Sequence, residues 1–310
     1  MLTDWNEGHT AAFQKEIMSF KHGLEETGLF SDEALVALLE KHPSHALDVC
    51  SMGDPNHPLY PNKLRTGDFR HADGKTLLKA AQSGLVWINV REAMNIHPEY
   101  KAVLDQMYGG LAEKTGNKTF SAKGGILISS PIAKVPYHFD KTETILWHVR
   151  GKKRMYLYPL SPEFIPDTGY ERAVVDMLED DLPFSFDWDK EHATIYDLQP
   201  GQALTWPMNM PHRVDNQTFC VSVTTEYSTA ASGRRNAAML TNATLRHKFG
   251  MNPSYWNASP AENYVKSVFG RVIKKTGFGA KVDRKDYVTF KIEPSAENFI
   301  VDVEPFERNF

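Results

Sequence analysis

The sequence has only two cysteines, Cys50 and Cys220, which stand far apart and form no CxxC pattern. A disulfide framework and a cysteine-based zinc cluster are therefore not expected. No apolar run approaches the length of a membrane span. The first residues contain no basic region followed by an apolar core, the pattern of a signal peptide. These absences predict a cytoplasmic protein that does not enter a membrane.

The chain also lacks a strong charge of either sign. Its 310 residues include 35 Lys and Arg against 39 Asp and Glu, a formal net charge of -4. This balance gives no electrostatic reason to expect a nucleic-acid partner. Hydrophobic residues make up 41% and charged residues 24%, the mixture of a globular protein with a substantial core.

Helical patterns dominate the start of the chain. A helical spacing and a capping Ser31 predict two helices within residues 3–42, and His, Pro, Gly and Asp predict an irregular connection over 43–74. The first of these helices is predicted from Phe13, Ile17, Phe20 and Leu24. Further helices are predicted from Lys75 to Gln82 and from Pro98 to the glycine pair at 109–110, with the strand LVWINV between them.

Short β-type segments dominate residues 124–229 and indicate a sandwich or barrel. They are GILISSP, TILWHVR, RMYLYP, ATIYDL, QALTWP and FCVSVTTEY. An acidic and aromatic stretch, 176–191, interrupts them as a surface loop or a lid. The last 25 residues or so are predicted to be extended.

A helical pattern returns after residue 230. It carries an apolar stripe that could form a dimer interface between C-terminal helices or pack on the chain's own barrel. The stripe consists of Tyr264, Val265, Val268, Phe269 and Val272.

A His-x-Asp pair, His138 and Asp140, is the first candidate metal site. Residues two apart on a strand point to the same side, so both side chains could hold one cation. His212 is the best third ligand, because Gly201, Pro207, His212 and Asn216 follow the pattern G-x5-P-x4-H-x3-N. That pattern is the second sequence motif of the cupin superfamily. Alternatively, His138 is a core histidine bonded to Asp140, and His212 is a turn residue.

Two imidazoles and one carboxylate leave coordination positions open on a metal, which suits non-haem Fe(II) and oxygen chemistry. Zinc is the main competitor because hydrolytic sites use similar ligands. The sequence has no HExxH motif, and a β-barrel setting favours iron.

Lys153 is the one charge on the odd-numbered face of the run that begins at Ile145. If the alternation holds across Gly151, this face is the interior, and a buried ammonium needs an anion. The anion could be a protein carboxylate or the carboxylate of a cosubstrate. A bulge at Gly151 would place Lys152 or Arg154 inside instead. A cosubstrate with a chelating 2-oxo acid and a distal carboxylate, 2-oxoglutarate, would satisfy both the metal and Lys153.

These residues resemble the JmjC-type 2-oxoglutarate oxygenases of the cupin superfamily, in particular the asparaginyl-hydroxylase-like branch. That branch has H-x-D and, 15 residues after the first His, a lysine in a G-x-K-R setting before an apolar strand. Here Gly151, Lys152, Lys153 and Arg154 precede MYLYP, and Lys153 lies 15 residues after His138.

The resemblance implies a mainly β fold with flanking helices: a double-stranded β-helix, or cupin jelly-roll barrel, with N- and C-terminal helical extensions. It covers 124–229 well. The implied regions are a helical N-terminal region (1–84) packing on the barrel, the JmjC/cupin barrel (85–229), and a C-terminal helical and extended region (230–310).

The resemblance also implies roles for single residues. His138, Asp140 and His212 would bind Fe(II), Lys153 would bind the distal carboxylate of 2-oxoglutarate, and Thr144 would contact the cosubstrate. Val135 stands where several members have a threonine, so a second anchor for the distal carboxylate is expected elsewhere, for example from a tyrosine on an earlier strand.

The implied function is a 2-oxoglutarate-dependent dioxygenase, a hydroxylase of a peptide or small molecule; N-demethylation would use the same machinery. Two other functions compete. A cupin isomerase or dioxygenase without 2-oxoglutarate predicts that Lys153 pairs with a protein acid. A non-catalytic small-molecule-binding cupin predicts a degraded metal site.

Overall fold

The computed structural model describes residues 1–51, 64–131, 133–176, 182–279 and 285–310. These residues form nine α-helices and fourteen β-strands. The helices are α1 (Glu7–Ala12), α2 (Asp32–Lys41), α3 (Gly74–Ser83), α4 (Ala93–Ile96), α5 (Pro98–Thr115), α6 (Asp167–Asp176), α7 (Trp188–Glu191), α8 (Ala230–Phe249) and α9 (Pro260–Thr276). The strands are β1 (Met18–Lys21), β2 (Leu47–Ser51), β3 (Arg65–Asp68), β4 (Val86–Val90), β5 (Phe120–Ser129), β6 (Lys134–His138), β7 (Glu143–Arg150), β8 (Lys153–Leu157), β9 (Thr194–Leu198), β10 (Gln202–Thr205), β11 (His212–Asn216), β12 (Cys220–Ser228), β13 (Tyr287–Ile292) and β14 (Ile300–Glu307).

The strands form two sheets. The large sheet has ten strands in the order β1-β10-β7-β12-β5-β4-β2-β3-β13-β14, and the small sheet has four in the order β6-β11-β8-β9. All pairings are antiparallel except that of β3 with β13. The fold is thus a mixture of helix and sheet in which the large sheet collects strands from both ends of the chain.

The two sheets pack face to face. One apolar cluster joins Leu146 and Leu204 of the large sheet to Met155, Leu157 and Val214 of the small one. The opposite face of the large sheet packs in a larger cluster against α2, α3 and α5. The large sheet is therefore buried on both faces, and only its inner face can contribute to a cavity between the sheets.

The β-type segments of the central region are confirmed as β5, β7, β8, β9, β10 and β12. Sequence analysis did not predict β6 and β11 as strands, although both lie in the small sheet. β6 contains Pro136, and β11 reads HRVDN, so neither shows a run of β-branched or aromatic residues.

The predicted helix through Phe13 and Phe20 is wrong. α1 ends at Ala12, and Phe20 lies in β1, which pairs with β10 at the edge of the large sheet. Both phenylalanines are buried, so the apolar spacing reflected core contacts of two different elements. The second helix is confirmed as α2, whose Ser31 hydroxyl accepts a hydrogen bond from the Ala34 amide at 3.2 Å.

The connection predicted over 43–74 contains β2 and β3, while residues 52–63 lie outside the described part of the chain. The first 84 residues therefore supply strands to the large sheet as well as helices. The predicted stop of a helix at the glycine pair 109–110 is also wrong, because α5 continues to Gly116, a C-cap with φ of 69°.

The extended C-terminal segment is confirmed as β13 and β14. α9 packs on α8 with its polar side, where Lys266, Ser267 and Gly270 are buried. A Cβ on Gly270 would lie 1.8 Å from the Ala237 carbonyl oxygen, so only glycine permits this close approach. The predicted apolar stripe, from Tyr264 to Val272, is 44–60% exposed and does not pack on the protein's own sheets.

Candidate metal and cosubstrate site

Two histidines from neighbouring strands face each other. β6 and β11 are paired so that His138 stands opposite His212, and the ring centroids are 4.2 Å apart. Nδ1 of His138 is 2.7 Å from the Pro136 carbonyl oxygen, and Nδ1 of His212 is 3.0 Å from the Met210 carbonyl oxygen. Because a carbonyl only accepts, each Nδ1 carries the proton and each Nε2 keeps a free lone pair.

Asp140 completes the group from the segment that follows β6. Sequence analysis placed His138 and Asp140 on one strand, whereas β6 ends at His138. Asp140 Oδ1 lies 4.0 Å from Nε2 of His138, and Oδ2 lies 3.7 Å from Nε2 of His212. Both distances exceed a hydrogen bond, so His138 is not a core histidine bonded to Asp140.

The three side chains fit a divalent cation. Their ligand atoms lie within 4.8 Å of one another. Two bonds of about 2.1 Å to a shared ion would span about 4.2 Å. Oδ2 of Asp140 is buried without a hydrogen-bond partner among the described residues, an arrangement that is costly unless a cation occupies the gap.

The electrostatics favour the same interpretation. Burial and the neighbouring His138 hold the pKa of His212 well below its usual value, which keeps the ring neutral and able to donate a lone pair. Burial raises the pKa of Asp140, while the proximity of His138 and the Thr144 hydroxyl opposes that rise. A carboxylate in this position would gain from a nearby positive charge.

Residues that sequence analysis did not select support the three side chains. The Asn209 side-chain amide donates to the Asp140 carbonyl oxygen at 2.6 Å and accepts from Nη1 of Arg235, on α8, at 3.0 Å. Asn209 has φ of 66°, a left-handed conformation that Asn tolerates. The Trp206 ring lies 4.6 Å from the His212 ring. Only the position of Asn209, between Pro207 and His212, could have pointed to it.

The cupin-type motif is spread over several turns. Gly201 lies in the turn between β9 and β10 with φ of 82°, where other residues would be strained. Pro207 begins the loop to His212, in which the Met210 amide donates to the Pro207 carbonyl oxygen at 3.0 Å. Asn216 ends β11 and donates to the Ala133 carbonyl oxygen at 2.7 Å. The glycine therefore shapes the turn that carries the chain from β9 in the small sheet to β10 in the large sheet, rather than the turn next to His212.

Lys153 is buried, with 2% of its surface exposed. Lys152 is exposed, and Arg154 forms an outer ion pair with Asp197 at 2.6 Å. Among the residues that the structure describes, no acid forms an ion pair or hydrogen bond with Lys153. Burial lowers the pKa of Lys153. The selection of Lys153 as the interior cation is confirmed.

The alternation that predicted an interior Lys153 does not, however, continue unchanged across Gly151. Ile145 and Trp147 of β7 face the cluster under the helices, whereas Leu146 faces the small sheet together with Met155. The chain crosses from the large to the small sheet at Gly151, where φ is 89°. The interior side therefore changes from even to odd positions at this glycine.

A cavity of about 480 Å³ joins the two groups. Its lining includes His138, Asp140 and His212 at one place and Lys153 at another. On β8, Leu157 is the register partner of His212, so Lys153 starts four residues, or about 13 Å, further along the strand. A lysine side chain covers part of that length, which leaves room for a short dianion between ammonium and imidazoles.

Thr144 also lines this cavity, where it is 7% exposed at the start of β7. The tyrosine expected on an earlier strand is not among the described lining residues. The earlier strands β4 and β5 contribute Trp87, Asn89, Leu127 and Ser129 instead. Sequence analysis missed these four residues because nothing in LVWINV or GILISSP marks the face that meets the cavity.

Flanking residues divide between core and cavity. Trp147 is a core residue whose Nε1 donates to the Thr225 hydroxyl at 2.8 Å, whereas Trp206 also lines the cavity. Arg150 pairs with Asp32. Arg213 is 6% exposed and pairs with Asp215 at 2.7 Å.

No protein-family model and no curated protein sequence matches the chain. Solved structures do match it. They include structures of YcfD from Escherichia coli, one described as a ribosomal oxygenase and another as its complex with cobalt and 2-oxoglutarate. The first has a TM-score of 0.51 at 16% identity, over 89% of this chain and 69% of YcfD. The complex has a TM-score of 0.50 at 15% identity, over the same shares.

At this identity the comparison bears on the fold. The resemblance drawn from H-x-D, Lys153 and the cupin-type motif is thereby confirmed at the level of architecture. The chain has the fold of YcfD, the ribosomal oxygenase of Escherichia coli.

Proposed function

We propose that the protein is an Fe(II)- and 2-oxoglutarate-dependent oxygenase, most simply a hydroxylase. One observation carries this proposal: a single cavity holds, at one place, three ligand atoms within 4.8 Å of one another and, at another, a buried lysine that has no acid partner among the described residues. A molecule with a chelating 2-oxo acid and a distal carboxylate satisfies both. YcfD, which has the same fold, has been solved with cobalt and 2-oxoglutarate.

In this proposal each residue has a defined task. His138, Asp140 and His212 hold the metal, with both imidazoles oriented by their carbonyl partners. Lys153 pairs with the distal carboxylate, and Thr144 contacts the cosubstrate. Bound together, Fe(II) and 2-oxoglutarate would supply the oxidising power to hydroxylate a C–H bond with O2, leaving succinate and CO2.

The proposed architecture is the double-stranded β-helix, or cupin jelly-roll barrel, within 85–229. The facing sheets and the cavity between them support it. We further assign residues 1–84 and 230–310 to extensions that pack on this barrel. Both extensions also lend strands to the large sheet.

The competing functions have weaker support. A cupin isomerase without 2-oxoglutarate requires an acid beside Lys153, and no described residue provides one. A non-catalytic cupin requires a damaged metal site, whereas His138, Asp140 and His212 lie together. Zinc would accept the same ligands, but a zinc hydrolase would not explain why a lysine is buried in the same cavity.

The proposed substrate is a protein side chain or a small molecule. The name of YcfD, a ribosomal oxygenase, supports a peptide substrate. N-demethylation would need the same residues.

No helix among the described residues is long and apolar enough to cross a membrane, and both cysteines are unpaired, as a cytoplasmic setting requires.

We also propose that α9 mediates a homodimer. Its apolar stripe is exposed, with Tyr264 and Phe269 at about 60%, while its polar side packs on α8. A surface helix of a monomeric protein usually does the opposite: it buries its apolar face and exposes its polar face. Sedimentation should show a dimer that Val268→Glu converts to a monomer, and a wild-type monomer at all accessible concentrations would refute this part.

The function is tested by incubating the Fe(II)-loaded protein with 2-oxoglutarate and O2 against a panel of peptides and small molecules. Substrate-stimulated succinate is expected, and Lys153→Ala should abolish it. Lys152→Ala is the matched control, because that side chain is exposed. Activity that proceeds without 2-oxoglutarate, or that survives in Lys153→Ala, would contradict the proposal.

A further inference from the structure

Two further side chains at the Lys153 end of the cavity carry hydrogen-bond donors without partners. Ser129 is 1% exposed, and its hydroxyl forms no hydrogen bond with any described residue. The Nε1–H group of Trp87 is buried and has no partner in the same part of the chain. Both residues line the cavity that contains Lys153. Buried donors of this kind are costly unless a ligand or water accepts from them.

Strand register places the two donors together. Trp87 on β4 is the partner of Ser129 on β5, and Ser129 is in turn the partner of Cys220 on β12. Partners in an antiparallel pair project from the same face of a sheet. The three side chains therefore form one row across the inner face of the large sheet.

The row ends next to the beginning of β8, a strand of the small sheet. Sγ of Cys220 lies 3.2 Å from the Lys152 carbonyl oxygen, so the Cys220 end of the row lies beside the start of β8. Burial raises the pKa of the Cys220 thiol, and the nearby Lys153 ammonium opposes that rise. Trp87, Ser129 and Lys153 thus approach the same end of the cavity from facing sheets.

The neighbouring acceptor does not satisfy these donors. Asn216 is the register partner of Lys153. Its amide nitrogen donates to the Ala133 carbonyl oxygen, and its Oδ1 accepts from no described residue. An ammonium, a hydroxyl and an indole N–H therefore remain available for one ligand. A carboxylate can accept several such bonds at once.

We propose that the Ser129 hydroxyl and the Trp87 Nε1–H bind the distal carboxylate of the 2-oxo diacid together with Lys153. This inference rests on the proposed function. It supplies the second anchor that Val135 leaves open, and it assigns that anchor to β4 and β5. Ser129 and Trp87 are then specificity residues: they favour a 2-oxo acid that ends in a carboxylate over one that ends in a methyl group.

The test is a calorimetric titration of the full chain, loaded with Mn(II) under anaerobic conditions, with 2-oxoglutarate and with 2-oxobutyrate. The second ligand keeps the chelating end and lacks the distal carboxylate. Ser129→Ala and Trp87→Phe should each weaken 2-oxoglutarate binding about tenfold or more, because each loses a hydrogen bond to a charged group. Binding of 2-oxobutyrate should be unchanged.

Two matched controls separate binding from folding. Ser130→Ala removes the adjacent hydroxyl, which donates to the Val86 carbonyl oxygen at 2.6 Å. Trp5→Phe removes an indole N–H that donates to the Thr10 hydroxyl at 2.9 Å, and Trp5 is not among the residues that line the cavity. Neither should change the affinity for 2-oxoglutarate.

The outcomes are distinct. Unchanged 2-oxoglutarate affinity in both Ser129→Ala and Trp87→Phe would overturn the assignment, and so would an equal loss for both ligands. Failure of the wild-type protein to bind 2-oxoglutarate at all would instead refute the proposed function. If one variant does not fold, the other still decides the assignment for its own side chain.

Discussion

The two ends of the cavity differ in what their side chains lack. At the imidazole end, defined by His138, Asp140 and His212, the facing atoms offer lone pairs to a cation. At the ammonium end, defined by Lys153, Ser129 and Trp87, the facing groups are hydrogen-bond donors that have no acceptor among the described residues. In a protein interior, the unsatisfied polar groups of either end would destabilise the fold unless a ligand or water bound to them.

The difference between the two ends indicates which kind of ligand would satisfy both. A cation satisfies the first end and an anion satisfies the second, so a dianion that chelates the cation satisfies both in one molecule. The ends come from opposite ends of the small sheet, because Leu157 is level with His212 while Lys153 is level with Asn216. The length of β8 between these two levels therefore sets the length of ligand that can reach both ends.

The largest effect is expected from Asp140→Ala at the imidazole end. Loss of a direct ligand should weaken Fe(II) or Mn(II) binding by more than about a hundredfold, since even indirect supports are worth about 10–100-fold. The metal-free protein should be no less stable, because Oδ2 of Asp140 is buried and has no hydrogen-bond partner in the described part of the chain. Metal titration and thermal unfolding measure the two quantities.

His71→Ala is the control for this variant, because His71 is exposed. It should leave metal affinity unchanged. Equal metal affinity in Asp140→Ala and the wild-type protein would show that Asp140 is not a metal ligand.

Lys153→Met should produce opposite changes in binding and stability. The affinity for 2-oxoglutarate should fall about thirtyfold or more, because a buried charge partner is lost. The ligand-free protein should gain about 1 kcal/mol or more in free energy of unfolding, since the substitution removes a buried ammonium that no described acid neutralises. Calorimetry and denaturant unfolding test the pair of results.

Lys152→Met, one residue away on the exposed side, should change neither quantity. A Lys153→Met protein that is less stable without ligand would mean that the ammonium is already satisfied within the protein.

Asn209→Gly should have a smaller effect at the imidazole end. It removes the hydrogen bond to the Asp140 carbonyl oxygen and keeps a residue that tolerates φ of 66°. Metal affinity should fall about tenfold, as for other indirect supports of a metal site. Asn257→Gly, at an exposed position, is the control, and an unchanged metal affinity would make Asn209 a purely structural residue.

The smallest effect concerns pH at the ammonium end. Burial, with a further contribution from Lys153, lowers the pKa of His148 to about 3. The unfolded chain takes up this proton near pH 6.5 and the folded protein does not, so stability falls as the pH decreases from about 6.5 toward 3. Between pH 7 and pH 6 the loss from this group is about 0.7 kcal/mol.

His148→Gln should remove that part of the pH dependence, measured as the free energy of unfolding at both pH values. His71→Gln, at an exposed position, should not. An identical pH slope in His148→Gln and wild type would show that His148 is protonated in the folded protein.

Much of the candidate site could be predicted from the sequence, because its residues occur at characteristic spacings along the chain. H-x-D and the cupin-type motif identified His138, Asp140 and His212, and alternation identified Lys153. The reason for Lys153 was incomplete, since the chain changes sheets at Gly151. Whether a glycine continues a strand or moves the chain between sheets depends on tertiary packing, which the local sequence does not encode.

Other features could not be predicted, because they depend on which strands become neighbours. Ser129 and Trp87 are ordinary strand residues until β4, β5 and β12 align them in one row. The apolar spacing of Phe13 and Phe20 suits a helix, yet Phe20 lies in β1 because the edge of the large sheet accepts a strand there. Tertiary pairing overrides local periodicity in such cases.

An anaerobic absorption titration with Fe(II) and 2-oxoglutarate tests most directly whether one dianion binds at both ends of the cavity. We expect a visible charge-transfer band in the wild-type protein that is absent in Asp140→Ala and needs much more 2-oxoglutarate in Lys153→Met. A wild-type protein that binds Fe(II) but develops no band, or a band that forms equally well in Lys153→Met, would contradict it.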